Sequence, residues 1–204
     1  WIHRGFLAVT EKVLRRKGKK PGTQEKRGRF NVKKTIKDRP QEVENRETFG
    51  HWELDTMVSS RGQSKGCLAT FVERKTRFYI AIKMDDRSKD SMFLAISSLY
   101  NTLTSKLLKT FTVDRGKEFA CFEQVETEFG IPMYFADAYA AWQRGSNENS
   151  NGLLREFFPK KTDLAKVTLD KLTEALVLIN NRPRKCLGFK TPFDMFKHEI
   201  RKLI

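Results

Sequence analysis

Three carboxylates of this chain occupy positions where an acidic side chain is unusual unless it has a chemical role. Asp55 interrupts the strand-like run 51–58, Asp114 directly follows the apolar run 107–113, and Glu148 opens a helical stretch after Arg144-Gly145-Ser146-Asn147. Asp is depleted in strands. Three convergent carboxylates can hold two divalent cations, and such a pair of ions catalyses phosphoryl transfer on nucleic acids. These residue types therefore indicate a metal-dependent site.

Each carboxylate also has a purely structural interpretation. Asp55 shares a strand face with Glu53, which fits either a solvated polar face or an acidic pocket. Asp114 precedes Arg115-Gly116 and could form a turn. Glu148 could interact with the positive end of a helix dipole. Spacing alone does not establish that the three converge.

The elements that must position these residues follow from hydrophobic periodicity and turn residues. We predict strands at 51–58, 66–74, 77–84, 107–113 and 133–135, with helices at 88–103, 118–129, 146–158, 169–181 and after Thr191-Pro192. Ser88 and Thr168 are predicted to cap two of the helices. The order βββαβαβα is typical of the ribonuclease-H-like architecture, so the predicted fold class is α/β, a mixed five-stranded sheet flanked by helices.

This arrangement offers a way to bring the carboxylates together. Asp55 lies on the first strand and Asp114 at the carboxyl end of the fourth, where ligands collect in open α/β sheets. Two unit charges about 4 Å apart repel by on the order of 4 kcal/mol at an effective dielectric of 20, and a divalent cation removes that cost. Oxygen ligands without a His–Cys cluster favour Mg²⁺ or Mn²⁺ over Zn²⁺.

The charge of the chain points to a polyanionic partner. Its net charge is +15, and residues 1–49 hold 15 of the 40 Lys and Arg residues but only 6 of the 25 Asp and Glu residues. We expect DNA or RNA as the partner. Residues 1–48 are predicted to be a short helix and a basic arm, and residues 49–204 the catalytic domain. The arm is either a DNA-contacting tether, through Arg15, Arg16, Lys17, Lys19 and Lys20, or a solvated linker.

Cysteine usage and hydropathy predict where the protein acts. The chain has three cysteines and no C-x-x-C pair, which argues against a disulfide scaffold or a zinc site and fits a reducing cytosol. No apolar run approaches the roughly 20 residues of a membrane span. We therefore expect a cytoplasmic protein with no membrane partner.

Four sequence blocks resemble the signatures of bacterial transposases of the insertion-sequence-thirty family. They are His51-Trp52-Glu53-Leu54-Asp55-Thr56, the run from Thr112 to Phe119, the run from Trp142 to Arg155, and Asn180-Asn181-Arg182-Pro183 with the residues up to Pro192. Asp114 and Glu148 are separated by 33 residues, the spacing these enzymes share. The resemblance covers residues 50–198. It implies a retroviral-integrase-like core with a catalytic, metal-binding triad of Asp55, Asp114 and Glu148.

The resemblance further implies a DNA transposase with two Mg²⁺ or Mn²⁺ ions. Such a site would cut transposon ends and join the 3′-OH to target DNA by in-line displacement. The resemblance also implies a homodimer or larger assembly, and a bacterial protein that associates with the nucleoid. The alternatives are a nuclease of the same fold that cuts without joining, and a non-catalytic DNA-binding module. Candidate DNA contacts beyond the arm are Arg115, Arg144, Asn147, Asn149, Arg155 and Arg182.

For three residues near Asp114 or Glu148 in the sequence, we make specific predictions. Arg115 departs from the Asn that the family often has there and adds positive charge beside Asp114. Asn147 either orients Glu148, caps the helix or contacts DNA. For Trp142 we favour a core position over stacking on a base.

Overall fold

A computed structural model gives the fold of residues 32–60, 64–137 and 140–203. Its centre is a five-stranded sheet made of β1 (His51–Val58), β2 (Cys67–Glu73), β3 (Tyr79–Met84), β4 (Thr110–Val113) and β5 (Met133–Phe135). The strand order is β3-β2-β1-β4-β5. β1 pairs antiparallel with β2 and parallel with β4, which pairs parallel with β5. This arrangement confirms the predicted mixed sheet.

In the part of the chain that the structure describes, six α-helices connect or flank these strands. They are α1 (Gln41–Asn45), α2 (Lys89–Thr102), α3 (Phe122–Phe129), α4 (Gly145–Phe157), α5 (Leu169–Asn180) and α6 (Pro192–Arg201). The predicted caps are confirmed, because the Ser88 and Thr168 hydroxyls accept the backbone N–H groups of Ser91 and Lys171. Within the described ranges, no helix is long and apolar enough to cross a membrane.

The predicted fourth strand begins too early. Residues 105–107 form a 3₁₀ turn, and β4 starts only at Thr110. The carbonyl oxygen of Leu107 accepts the indole N–H of Trp52 at 2.9 Å, so this carbonyl is bound to a side chain and not to a neighbouring strand. The end of β4, which sets the position of Asp114, agrees with the prediction.

The two faces of the sheet pack against different helices. One face buries Trp52, Phe71 and Phe111 in a core that includes Met92 of α2 and Phe196 of α6. The other face buries a second group against α4 and α5, namely Leu68, Val72, Tyr79, Leu154 and Leu172. Because side chains alternate along a strand, Trp52 and Leu54 point to the first face. Asp55 therefore points towards α4.

Residues 32–50 pack on the same sheet. Thr35 forms a parallel bridge with Phe135 of β5, and Ile36 and Val43 are buried. Arg39 donates a hydrogen bond to Thr112 on the sheet at 3.3 Å. Residues 32–48 belong to the segment predicted to form the helix and basic arm, and these contacts make them part of the folded unit. Residues 1–31, including the predicted first helix, lie outside the described residues.

His51 at the start of β1 has a structural environment. Its Nδ1 lies 2.8 Å from the Thr110 hydroxyl, and its side chain is only 2% exposed. Burial lowers the pKa of this imidazole to about 4, and nearby Glu42 only partly opposes the shift. The ring is therefore neutral at neutral pH and links β1 to β4.

Candidate active site

The pairing of β1 with β4 places Asp55 opposite Asp114. The parallel register aligns Glu53 with Thr112. Two residues further along the chain come Asp55 and Asp114, so both side chains project from the same face of the sheet. Paired strands lie about 4.8 Å apart. The backbone thus brings together two carboxylates that are 59 positions apart in the sequence.

One guanidinium group, that of Arg144, bridges these two carboxylates. Its Nη2 donates to Asp114 Oδ2 at 3.0 Å, and its Nη1 lies 3.5 Å from Asp55 Oδ1. The same Nη1 donates to the backbone oxygen of Leu54 at 3.0 Å. Arg144 directly precedes α4, and its side chain is only 12% exposed. Arg144 is a predicted DNA contact, but in the structure its guanidinium pairs with the two carboxylates.

The two carboxylates also accept hydrogen bonds from groups other than Arg144. Asp55 Oδ1 accepts the backbone N–H of Thr56 at 2.8 Å, and Asp55 Oδ2 accepts Asn151 Nδ2 at 3.1 Å. Asp114 Oδ1 accepts the N–H of Gly116 at 2.8 Å. Both side chains are thus fixed in orientation by groups other than Arg144.

Burial raises the pKa of Asp55 above its usual value. Arg144 opposes this rise, and the neighbouring Asp114 charge adds to it. Burial therefore disfavours the charged form of Asp55, and Arg144 offsets this cost only in part. Two neighbouring carboxylates that face one guanidinium are oxygen ligands of the kind that a hard divalent ion prefers.

The turn after β4 has no space for a side chain at Gly116. A Cβ there would lie 2.5 Å from Glu118 Oε2 and 2.8 Å from Asp114 Oδ1. Glu118 is buried and pairs with Arg87 at 2.6 Å. A third acidic side chain therefore borders Asp114, held by its own arginine, and Gly116 allows both carboxylates to approach the turn.

Glu148 lies in the first turn of α4, four residues after Arg144. It is three residues before Asn151, a spacing that places Glu148 and Asn151 on one side of the helix. Both of those neighbours contact Asp55. Glu148 itself is exposed, and among the described residues no hydrogen bond or ion pair reaches its carboxylate.

The structure brings together two members of the predicted triad. Across the described parts of the chain, no three Asp, Glu, His or Cys side chains lie close enough to hold a metal ion together. Asp55 and Asp114 converge, and Glu148 lies on α4, one turn before the Asn151 that contacts Asp55. A third carboxylate ligand therefore requires Glu148 to approach the pair.

Asn147 anchors the first turn of α4 to the sheet. It is fully buried, its backbone N–H donates to Glu53 Oε2 at 2.9 Å, and its Nδ2 donates to the Glu53 carbonyl at 3.1 Å. The Thr70 hydroxyl donates to its Oδ1 at 3.2 Å. This burial leaves no surface for DNA, so among the predicted roles the contacts support orienting the helix that carries Glu148.

The other predicted DNA contacts are scattered around this site. Arg155 donates to the backbone oxygen of Val58 at 2.8 Å, and Arg115 to that of Ala136 at 3.4 Å. Arg182 pairs with Glu156 at 3.2 Å in an exposed salt bridge, and Asn149 is exposed. The arm residues Arg15, Arg16, Lys17, Lys19 and Lys20 lie outside the described residues.

Trp142 is exposed, contrary to the core position favoured from the sequence. Its residue surface is 77% accessible, and it precedes Arg144 by two residues. The sequence pattern does not indicate this exposure, because a Trp is highly buried on average. A large aromatic surface therefore faces solvent two residues before Arg144, which bridges the two carboxylates.

Comparison with known proteins identifies the family of this chain. A profile described as Integrase core domain matches residues 45–141. The transposase InsI for insertion sequence element IS30A of Escherichia coli (strain K12) is 38% identical over 187 residues, covering 91% of this chain and 48% of its own length. The transposase for insertion sequence element IS4351 of Bacteroides fragilis is 36% identical, covering 94% and 59%. The chain belongs to the insertion-sequence-thirty family of transposases.

Solved structures agree with this family fold. The catalytic core domain of BIV integrase superposes with a TM-score of 0.59 at 19% identity, covering 77% of this chain and 100% of that one. The HTLV-2 integrase catalytic core domain, solved in complex with magnesium, gives a TM-score of 0.55 at 18% identity over 72% and 95%. This transposase core therefore has the ribonuclease-H-like fold of retroviral integrases. It spans about half the length of the curated relatives it matches.

Proposed function

We propose that this chain is the catalytic part of a DNA transposase that cuts transposon ends and joins the 3′-OH ends to target DNA. The observation that carries the proposal is that the Arg144 guanidinium bridges Asp55, within β1, and Asp114, directly after β4. This pair, with Glu148 on the adjoining helix, supplies the three carboxylates expected of an Asp-Asp-Glu polynucleotidyl transferase. Family membership makes this chemistry the first hypothesis to test.

The donor set of the site suits Mg²⁺ or Mn²⁺. Asp55, Asp114 and Glu148 would hold the ions, because carboxylate oxygens are their preferred protein ligands. Bound there, two divalent ions would activate a water or a DNA 3′-OH and stabilise the leaving 3′ oxygen. The HTLV-2 core solved with magnesium supports the choice of metal.

The protein's own groups prepare the site. The Asn151 amide and the N–H of Thr56 orient the Asp55 carboxylate, and the N–H of Gly116 orients that of Asp114. The buried Glu53–Asn147 contact fixes the start of α4. These contacts hold two carboxylates in position before DNA arrives, which reduces the reorganisation needed at the moment of reaction.

DNA is the proposed substrate and partner. The net charge of +15 favours a polyanion, and Arg115, Asn149, Arg155 and Arg182 are proposed to line its path, with Arg15, Arg16, Lys17, Lys19 and Lys20 of the arm reaching further along it. Two transposon ends must meet in one complex, so we propose at least a dimer. The HTLV-2 integrase core has been solved in dimeric and trimeric forms.

A strand-transfer assay tests the proposed function. The protein is incubated with Mn²⁺ and a duplex carrying a labelled 3′-OH transposon end from the same element, together with plasmid target. We expect labelled plasmid that disappears when EDTA is added. Cutting of the duplex without joining would favour the nuclease alternative. DNA binding without either reaction would favour the non-catalytic module.

We expect Trp142 to stack on a DNA base. Base–aromatic stacking is worth about 1–3 kcal/mol per base, so Trp142→Ala should weaken DNA binding by roughly tenfold, measured by fluorescence anisotropy. In a Trp1→Phe background, DNA should also quench the emission of Trp142, while Trp52, fully buried, provides a constant signal.

The matched control for this prediction is Leu169→Ala. Leu169 is 67% exposed on α5 and equally apolar, so its loss should leave DNA affinity unchanged. Trp142→Phe should retain most of the affinity because it keeps an aromatic face. Equal DNA affinity of Trp142→Ala and the parent protein, with no quenching, would exclude stacking.

A further inference from the structure

The Arg144 guanidinium lies where a cation shared by the two aspartates would lie. It uses one oxygen of each carboxylate, Asp55 Oδ1 and Asp114 Oδ2. Mg²⁺ binds carboxylate oxygens at about 2.0–2.1 Å in near-octahedral geometry. A guanidinium nitrogen at 3.0 Å from Asp114 Oδ2 cannot remain while that oxygen binds a metal ion on the same side.

One hydrogen-bond donor of the Arg144 side chain has no partner among the described residues. Two of its nitrogens bind the carboxylates and the Leu54 carbonyl, but its buried Nε–H has no acceptor among the described residues. A buried donor without a partner costs free energy. By contrast, Arg155 of α4 binds only backbone oxygens, those of Val58 and Phe158. Arg144 is thus held mainly by the charge of the two aspartates.

We propose that Arg144 is a positioning residue that holds Asp55 and Asp114 together before metal binds, and that a divalent ion must displace it to enter the site. This inference rests on the proposed function, because it assumes that the two aspartates bind metal. In the metal-free protein, Arg144 offsets the repulsion between the carboxylates and keeps the site assembled. The cost of displacing it weakens metal binding and raises the metal concentration at which the site fills.

Calorimetric titration with Mn²⁺ in the absence of DNA tests this competition. We expect Arg144→Gln to bind Mn²⁺ about tenfold more tightly than the parent protein, which corresponds to about 1.4 kcal/mol. Arg144→Lys keeps the charge but loses the two-nitrogen fork, so its affinity should fall between the two. The control Arg201→Gln, which removes an equal charge from an exposed position in the last turn of α6, should match the parent.

Two further measurements separate displacement from a general charge effect. The metal-free Arg144→Gln protein should unfold at a lower temperature, and Mn²⁺ should raise that temperature more than it does in the parent. In the parent, saturating Mg²⁺ should shift the NMR signal of the Arg144 Nε–H, assigned by its absence in Arg144→Gln. Arg144→Lys provides the comparison if Arg144→Gln does not fold.

The outcomes distinguish this inference from the proposed function. If Asp55→Asn abolishes Mn²⁺ binding while Arg144→Gln binds no more tightly than the parent, Arg144 does not compete with the metal and the inference is overturned. If Asp55→Asn binds Mn²⁺ as well as the parent, the aspartates are not the metal site, and the proposed function fails together with the inference.

Discussion

Asp55→Asn, Asp114→Asn and Glu148→Gln should each reduce metal-dependent DNA cleavage and joining by on the order of a thousandfold or more, because loss of a metal ligand removes several kcal/mol of charge stabilisation from the transition state. Each substitution keeps the shape of the side chain and removes its charge. The measurement is single-turnover cleavage and strand transfer with Mn²⁺, alongside calorimetric titration of the metal.

Neither Asp55→Asn nor Glu148→Gln should lower the unfolding temperature, and the physical reason differs with the environment of each side chain. Burial raises the pKa of Asp55, so its charged form is disfavoured in the folded state and Asp55→Asn should not lower the unfolding temperature. Glu148 is exposed and should be neutral for stability. Inactivity together with an unchanged unfolding temperature would therefore assign the loss to chemistry and not to misfolding.

Matched controls lie on the neighbouring helices. Glu156→Gln changes another exposed glutamate of α4, and Asp170→Asn changes an exposed aspartate at the start of α5. Both should retain cleavage and joining. Full activity of Glu148→Gln would remove Glu148 from the triad, and the buried Glu118 beside Asp114 would become the next carboxylate to test.

The sequence was sufficient to predict the mixed five-stranded sheet, because strand patterns, turn residues and caps are local signals. It placed Asp114 at the carboxyl end of the fourth strand, where ligands collect in open α/β sheets. It did not establish that Asp55 and Asp114 converge, because that depends on the pairing of β1 with β4. Glu53 shows the limit of this reasoning, because period two places it on the same face as Asp55. Only the packing reveals that Glu53 is fully buried against Arg74 and Asn147.

The role of Arg144 could not be predicted from local patterns. Its contacts with Asp55 and Asp114 join three segments that are distant in the sequence. A sequence motif shows that an arginine precedes the helix, but not whether it faces DNA or the carboxylates. Trp142 is a similar case, since exposure of an aromatic side chain depends on what the surrounding chain leaves uncovered.

We expect Arg74→Met to destabilise the protein strongly. Arg74 forms an ion pair with the fully buried Glu53 and donates its Nε–H to the Val43 carbonyl at 3.0 Å. Removing one partner of a buried pair leaves an uncompensated charge and costs about 3–5 kcal/mol. In a domain of this size that loss lowers the unfolding temperature by roughly 10 °C. Thermal and urea unfolding measure the effect.

The double variant Glu53→Gln/Arg74→Met separates charge from packing. It removes both charges, and the Gln side chain keeps an oxygen that can accept the Asn147 N–H now bound by Glu53. Most of the lost free energy of unfolding should return, because the buried charge is gone. Lys33→Met, which breaks an exposed pair with Glu123, should change stability little.

The same pair of variants tests how the site is held. Glu53 joins β1 to the first turn of α4, and that turn carries Glu148. If this contact positions Glu148, cleavage should return in the double variant together with stability. A double variant as unstable as Arg74→Met would mean that Arg74 acts through its contact with Val43 and its packing. The ion pair with Glu53 would then not be what holds α4 against the sheet.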